Sequence, residues 1–403
     1  IKQGYKQTKV GIIPEDWEIV KLGKLTTVET GKTPLRSNKQ FWDNGTINWA
    51  TTTEVNETYI VSTNEKITNQ AVAELKMKIL PINTILLAMY GQGKTRGKVA
   101  LLRIESTINQ AFASIKPNKN YSTNFIFNYL DKSYEKIRDL SHGSNQDNLN
   151  LDIVKALQIP LPPLKEQEKI AEILTTWDEA ITKQTELLRA KELQKKALGQ
   201  KLLSGEVRFD GFSDEWEEIR LGKYIKEISK KNKENVELVL SVTNKHGFIA
   251  QKDYFEKEVA SKDTSNYKIV KKGNFAYNPS RINVGSLGLL EEYEIGILSP
   301  MYVIFECLKG LDKQYLNYWL NTHNFTGNLS KFLSGSVRDS LAFNDMKLMK
   351  IKLPSLPEQQ KIAEVLSLAD DEINLLKTEL EELNLQKKAL MQKLLTGEVR
   401  VKV

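Results

Sequence analysis

The sequence predicts an α+β chain of two mixed α/β globular domains, each followed by a long helix, with the two helices pairing as a coiled coil. Three observations predict it. A sixteen-residue segment occurs twice, an apolar seam with alternating steps of four and three runs into each copy, and the intervening regions alternate short β-prone runs with turns.

Leu193-Gln-Lys-Lys-Ala-Leu-Gly-Gln-Lys-Leu-Leu-Ser-Gly-Glu-Val-Arg208 returns 192 residues later as Leu385 to Arg400, changed only at Gly199/Met391 and Ser204/Thr396. Upstream, Leu161-Pro-Pro-Leu-Lys-Glu-Gln-Glu-Lys-Ile-Ala-Glu-Ile-Leu174 matches Leu353-Pro-Ser-Leu-Pro-Glu-Gln-Gln-Lys-Ile-Ala-Glu-Val-Leu366 at the same offset. Proline suits a helix lead-in because the first turn cannot use its missing N–H, and Gly205 and Gly397 suit the C-terminal stop.

Between these marks the seam reads Ile170, Leu174, Trp177, Ile181, Gln184, Leu188, Lys191, Lys195, Leu198 and Leu202. Its copy reads Ile362, Leu366, Ala369, Ile373, Leu376, Leu380, Leu383, Lys387, Leu390 and Leu394. Such stripes must be buried, and each is the other's nearest partner. The polar interruptions Gln184, Lys191, Lys195 and Lys387 either set the register or mark where another protein's helices dock. A competing arrangement lays each helix on its own domain; persistence of the spacing over several heptads argues against it.

Composition sets bounds. Hydrophobic content of 40% supplies cores for a 403-residue chain, and a net charge of +7 weakly favours a polyanionic partner. Cys307 alone excludes an internal disulfide, and His142, His246 and His323 have no metal-ligand spacing, as in a reduced cytoplasmic protein. No apolar run approaches ~18 residues and no signal peptide opens the chain, so no membrane role is expected. Because the chain begins at Ile1 rather than Met, a few preceding residues are expected.

The predicted order is a first globular domain over 1–160, a helix over 161–207, a second domain over 208–352 and a second helix over 353–403. The domains open alike, at Ile13-Pro-Glu-Asp-Trp17 and Phe212-Ser-Asp-Glu-Trp216, but at an offset of 199, so the first is seven residues longer. Strands are expected at 84–90, 98–103 and 112–115, with a helix from Thr123 to Arg138; in the second domain the strands fall at 274–277, 285–290 and 301–305, with a helix over 313–320. The domain interiors diverge while their helices are near-copies, which describes a frame carrying two distinct readers.

Three stretches of the first domain could carry function, and the last two have counterparts in the second. Gly31 to Trp49 combines Lys32, Arg36 and Lys39 with two tryptophans, consistent with phosphate contact; equally, Trp42 and Trp49 are core and the cations ordinary surface. Tyr90-Gly-Gln-Gly-Lys-Thr-Arg-Gly-Lys98 is the sharpest loop, its glycines holding Tyr90, Gln92, Lys94, Arg96 and Lys98 for close approach to nucleic acid, where Gln suits adenine and Arg guanine. Gly93-Lys94-Thr95 resembles the end of a phosphate loop, yet Ala88 stands where glycine is required and a strand follows, so ATP binding is rejected.

The matching segment of the second domain, Tyr277 to Ser286, offers Asn278, Arg281 and Asn283. Its Asn278-Pro279-Ser280 departs from the tetrapeptide by which amino-methyltransferases grip a base, and no glycine-rich cofactor loop occurs, so the chain is not expected to bind S-adenosylmethionine. The third pair, with Ser144 and Asn145 facing Ser336 and Arg338, is small and polar, a composition more common in simple turns. No catalytic set emerges: His142 lacks a Ser/Asp pair and no nuclease carboxylate cluster is present.

The order of reader, helix with a Leu-Pro-x-Leu-x-Glu-Gln lead-in and a Gln-Lys-Leu-Leu-Ser/Thr-Gly-Glu-Val-Arg exit, then reader and helix again, resembles the specificity subunit of type I restriction-modification enzymes over essentially the whole chain. Gly31 to Trp49 and Ile108-Asn-Gln-Ala-Phe112 also look like pieces of that family's recognition domains. The resemblance implies a non-catalytic subunit with a pseudo-twofold repeat. Two target recognition domains each read half of a bipartite double-stranded DNA site, and the two helices pair antiparallel between them. Methyltransferase subunits, usually two, dock on the helices, and restriction/motor subunits join. S-adenosylmethionine, ATP and Mg are then expected on those partners, and no cofactor on this chain.

From Glu166 to Leu203 such a helix spans about 57 Å, against ~34 Å for a DNA turn, so half-sites about a turn apart on one face are within reach. Phosphate contacts should make affinity fall steeply with salt, and good bidentate base contacts contribute about 1–3 kcal/mol of discrimination each. Two other classes stay open: a recognition subunit of a type IIB-like system, and a coiled-coil scaffold without a DNA role. A self-sufficient nuclease is the weakest alternative.

Overall fold

The structure is a computed structural model that describes residues 2–56, 58–91, 94–140, 148–244, 247–254, 263–333 and 340–403. Its contacts divide the chain into one unit of Ile1–Thr185 with Thr378–Val403 and a second of Glu186–Lys377.

The first unit holds strands β1 (Tyr5–Thr8), β2 (Gly11–Pro14), β3 (Glu18–Lys21), β4 (Val28–Thr30), β5 (Ile47–Ala50), β6 (Tyr59–Ile60), β7 (Glu65–Ile67), β8 (Ile85–Ala88), β9 (Val99–Leu102), β10 (Thr107–Ile108), β11 (Phe112–Ile115) and β12 (Gln158–Leu161). Its helices are α1 (Leu22–Leu25), α2 (Asn69–Glu74), α3 (Thr123–Lys132), α4 (Tyr134–Asp139), α5 (Leu151–Ala156) and the first part of α6 (Leu164–Ser204).

Strand β8 lies at the centre of a sheet ordered β4-β11-β8-β9-β6, antiparallel except for the β6 edge. Alternate side chains enter opposite faces. Ile85 and Leu87 join a core with Trp17, Phe125, Ile170, Leu174 and Leu394, whereas Leu86 and Ala88 join a second with Ala100, Leu102 and Phe112. With both faces covered, β8 reads as an unbroken apolar run rather than an alternation. A smaller sheet, β10-β5-β7, surrounds a third cluster built on Trp49, Phe41 and Ile67.

The second unit holds β13 (Glu217–Arg220), β14 (Ile225–Ile228), β15 (Leu240–Thr243), β16 (Gly247–Ala250), β17 (Lys268–Lys271), β18 (Phe275–Tyr277), β19 (Leu287–Leu289), β20 (Ile295–Leu298), β21 (Val303–Cys307) and β22 (Lys350–Leu353). Its helices are α7 (Gln251–Tyr254), α8 (Lys313–Leu320), α9 (His323–Leu333), α10 (Phe343–Leu348), α11 (Leu356–Leu394) as far as Lys377, with its remainder in the first unit, and the remainder of α6. The sheet order β14-β21-β18-β19 repeats β4-β11-β8-β9. Again Phe275 and Tyr277 face one core and Ala276 the other. In both units the chain enters and leaves the globular part side by side, through the antiparallel pairs β3–β12 and β13–β22.

Within each unit α6 and α11 lie against each other and run antiparallel. In the first, Lys387 pairs with Asp178 at 2.5 Å and Gln184 Nε2 donates to Glu379 at 2.8 Å; in the second, Lys191 pairs with Glu372 at 2.6 Å and Lys195 with Asp370. Every seam position is buried or half-buried, while Leu187, Leu193, Leu368, Leu375 and Leu385 lie exposed off the seam. Lys191, Lys195 and Lys387 are thus each paired with a carboxylate of the facing helix and Gln184 with Glu379, and neither helix lies alone on its own domain. Gly205 and Gly397, with φ of 77° and 72°, end the two helices in the left-handed region.

Two expected elements change. The helix expected over Thr123 to Arg138 is two helices, α3 and α4, parted at Ser133, whose φ of −87° and ψ of 7° leave the helical range. The strand expected from Gly285 begins at Leu287 instead, because Gly285 holds a φ of 90° at the end of a tight turn. No helix among the described residues is long and apolar enough to cross a membrane.

Candidate nucleic-acid interface

The repeated lead-in and exit motifs meet in each unit. Arg400 Nε and Nη2 donate to the Glu166 carboxylate at 2.6 and 2.8 Å, its Nη1 and Nη2 donate to Asp16 at 2.9 and 2.8 Å, and Trp17 Nε1 donates to Glu166 at 3.3 Å. The second unit repeats this: Arg208 donates twice to Glu358 at 2.8 Å, and Trp216 Nε1 donates to the same carboxylate at 3.2 Å. The Arg400 guanidinium holds Asp16 below the usual carboxylate range, and both carboxylates raise the pKa of Arg400.

The neighbouring glutamine secures the globular part. Gln167 Oε1 accepts from the Ser122 amide at 2.9 Å, at the cap of α3, and its Nε2 donates to Pro162 O at 2.8 Å. Gln359 does the same with the Asp312 amide at the cap of α8 and with Pro354 O. Thus the Glu-Gln pair of each lead-in is a joint between long helix, exit segment and sheet-covering helix. Those partners are 45 to 234 residues away, out of reach of any spacing rule, and the one signal was that both copies keep the residues.

On this frame sit the loops. The β8–β9 connection carries Tyr90, exposed, with Lys94 exposed and Arg96 and Lys98 half-buried. Lys98 Nζ donates to Asn56 Oδ1 at 2.8 Å, and the Lys94 carbonyl accepts from Tyr134 Oη at 2.8 Å. The equivalent β18–β19 connection carries Asn278, half-buried with its amide 3.4 Å from Met301 Sδ, and Arg281 and Asn283, both exposed. Gln92, Ser144, Asn145, Ser336 and Arg338 lie outside the described residues.

The segment from Gly31 divides its residues between roles. Trp49 is core, and its Nε1 donates to Lys32 O at 3.0 Å; Trp42 stacks edge-on against it. Arg36 lies 3.9 Å from the centre of the Trp42 ring and makes a two-pronged ion pair with Glu65, so it meets a phosphate only by sharing or releasing that carboxylate. Glu65 was invisible in the sequence, being 29 residues away. Lys32 Nζ donates to Leu75 O at 2.6 Å, and Lys39 is exposed. Gly31 has no room for a side chain: a Cβ there would stand 1.8 Å from Ile108 O. Among the described residues no group of three or more His, Cys, Asp or Glu could hold a metal ion.

The family model described as type I restriction modification DNA specificity domain matches twice, over residues 14–190 and 214–385. The chain is 29% identical to the type I restriction enzyme MjaIX specificity subunit of Methanocaldococcus jannaschii, over 98% of this chain and 96% of that one. It is 28% identical to the MjaVIII specificity subunit of the same organism, over 100% and 97%. Among solved structures, the S subunit of the type I restriction-modification system from M. genitalium shares the fold, with a TM-score of 0.59 at 18% identity over 94% of this chain and 96% of that one. With two matched domains covering most of its length, the chain belongs to the type I restriction modification DNA specificity domain family.

Proposed function

We propose that the chain reads a bipartite double-stranded DNA site, one half with each unit, and lends this specificity to a type I restriction-modification complex. The carrying observation is that both units hang a loop from the same two strands of the same four-strand frame, β8–β9 and β18–β19, yet fill it with unlike polar side chains. In this reading Lys94, Arg96 and Lys98 serve one half-site and Asn278, Arg281 and Asn283 the other, with Lys32, Lys39 and Tyr90 flanking. The length of α6 and α11 sets the unread gap.

The chain then supplies recognition and no chemistry. Methyltransferase subunits, two for a repeat with two equivalent halves, dock along the helices, where Leu193 and its copy Leu385 stand exposed, and restriction subunits join them. S-adenosylmethionine, ATP and Mg belong to those partners, in the cytoplasm. Single-molecule methylation sequencing of DNA from a host expressing this chain with its methyltransferase tests the proposal. A split methylated motif is expected; no motif, with the partner active beside another specificity subunit, overturns it in favour of a scaffold.

A further inference from the structure

We infer that Tyr134 and Arg138 are positioning residues for the β8–β9 loop, and so for the half-site that the first unit reads; the inference rests on the proposed reading of that loop. Tyr134 Oη donates to the Lys94 carbonyl at 2.8 Å, and Arg138 Nη1 donates to Tyr134 Oη at 3.0 Å. The two side chains are four residues apart and share a face of α4. That face also backs the far end of the loop: a Cβ on Gly97 would stand 3.5 Å from Arg138 Cβ and from Tyr134 O. Helix α4 therefore touches the loop on both sides of Arg96, at Lys94 and at Gly97.

The loop needs such a support. Gly91 and Gly97 both sit at positive φ, of 142° and 87°, and a glycine-rich connection loses much conformational freedom when ordered. Its base is closed by Gly97 N donating to Ala88 O at 2.8 Å and Lys98 N to Thr95 O at 3.1 Å, which leaves the Lys94 carbonyl to α4. A loop ordered before binding spares that entropy on DNA.

In the second unit α9 takes this place, and its Thr326 and Ser330 line a cavity of about 320 Å³ with Asn283 and Gly285 of the equivalent loop. That loop is held from elsewhere, by Ser286 Oγ donating to Val242 O at 2.8 Å. Loss of the α4 support should therefore be felt at one half-site.

The test uses the full chain in complex with its methyltransferase, binding duplexes that carry single base changes in either half-site. Tyr134→Phe, which removes one hydroxyl, and Arg138→Gln should each lower discrimination about three- to ten-fold at one half-site only, as expected for a lost hydrogen bond of ~1 kcal/mol, with the unfolding temperature unchanged. Equal losses at both half-sites, a loss that follows lowered stability, or no change would overturn the inference. Lys94→Ala and Arg96→Ala separate the causes of a null result. If they alter one half-site while Tyr134→Phe does not, the positioning role alone falls; if they too are silent, the loop is not a reader and both fall.

Discussion

Arg400 reaches Glu166 from 234 residues away in sequence, with its Nε 2.6 Å from a carboxylate whose side chain is only 2% exposed. The charge on Glu166 is balanced there by the guanidinium, with Trp17 as a further donor. Arg400→Ala should destabilise the protein by about 1–3 kcal/mol, since it leaves a buried carboxylate short of donors. Urea unfolding of the full chain measures it, and an unaltered midpoint would show that the latch contributes nothing.

Lys195–Asp370 and Lys387–Asp178 are one ion pair written twice, each member 192 residues from its copy. Asp370→Lys should destabilise by placing like charges across the seam. Adding Lys195→Asp should restore part of the loss, with a coupling energy of about 1 kcal/mol in a double-mutant cycle. Additive effects would mean that the two side chains are not coupled.

Gly199 sits inside α6 where its copy is Met391, and a Cβ there would meet only Leu366 Cδ2, at an ordinary 3.6 Å. Gly199→Ala should stabilise by about 0.5–1 kcal/mol through backbone entropy. The melting temperature reads it directly, and a decrease would contradict the seam packing described.

Glu65 holds Arg36, and Arg36 keeps the pKa of Glu65 below its ordinary value. Because the folded-state pKa is the lower one, this pair's contribution is present above the unfolded carboxylate value and disappears as pH falls through the folded one. Both side chains are substantially exposed, so the stability effect is small. Glu65→Gln should act on DNA instead: a released Arg36 should steepen the dependence of log affinity on log salt by about 1. An unchanged slope would remove Arg36 from the phosphate-contact set.

Lys132, half-buried beside Lys136, has its pKa pushed down to about 8, chiefly by burial. Here the unfolded state keeps a proton that the folded state gives up, so Lys132 favours folding increasingly as pH rises from about 8 toward the ordinary lysine value. Lys132→Met should raise the melting temperature at pH 7 and flatten that rise. A lower melting temperature at pH 7 would contradict the account.

The two long helices, their seam and their glycine stops were legible because each is a local pattern, and the duplication states every pattern twice. Strands β8, β9, β11, β18, β19 and β21 were legible as apolar runs for the same reason. Their order was not, since pairing β8 to β11 rather than to β4 leaves no trace in either segment. The hairpins β1–β2 and β15–β16 and the pair β17–β20 are built of four-residue strands, too short for the long alternation that marks a strand. The break at Ser133 carries no glycine or proline, so the helix pattern ran on through it. In the candidate interface the cations could be named, but not that Arg36 is pledged to Glu65 or that Lys94 offers its carbonyl to Tyr134, because both are long-range choices made by the fold.

The side-by-side arrival and departure at β3–β12 and β13–β22 has an evolutionary consequence. Everything between Lys21 and Gln158, or between Arg220 and Lys350, starts and finishes at one narrow neck, while Glu166, Gln167, Glu358 and Gln359 grip from outside it. A gene exchange that cuts at the neck would deliver a foreign insert to an unchanged mount. The near-identity of the lead-in and exit segments and the divergence of the interiors are the record such a history of cassette replacement would leave, with new sequence preferences arising by substitution of whole parts rather than by gradual change.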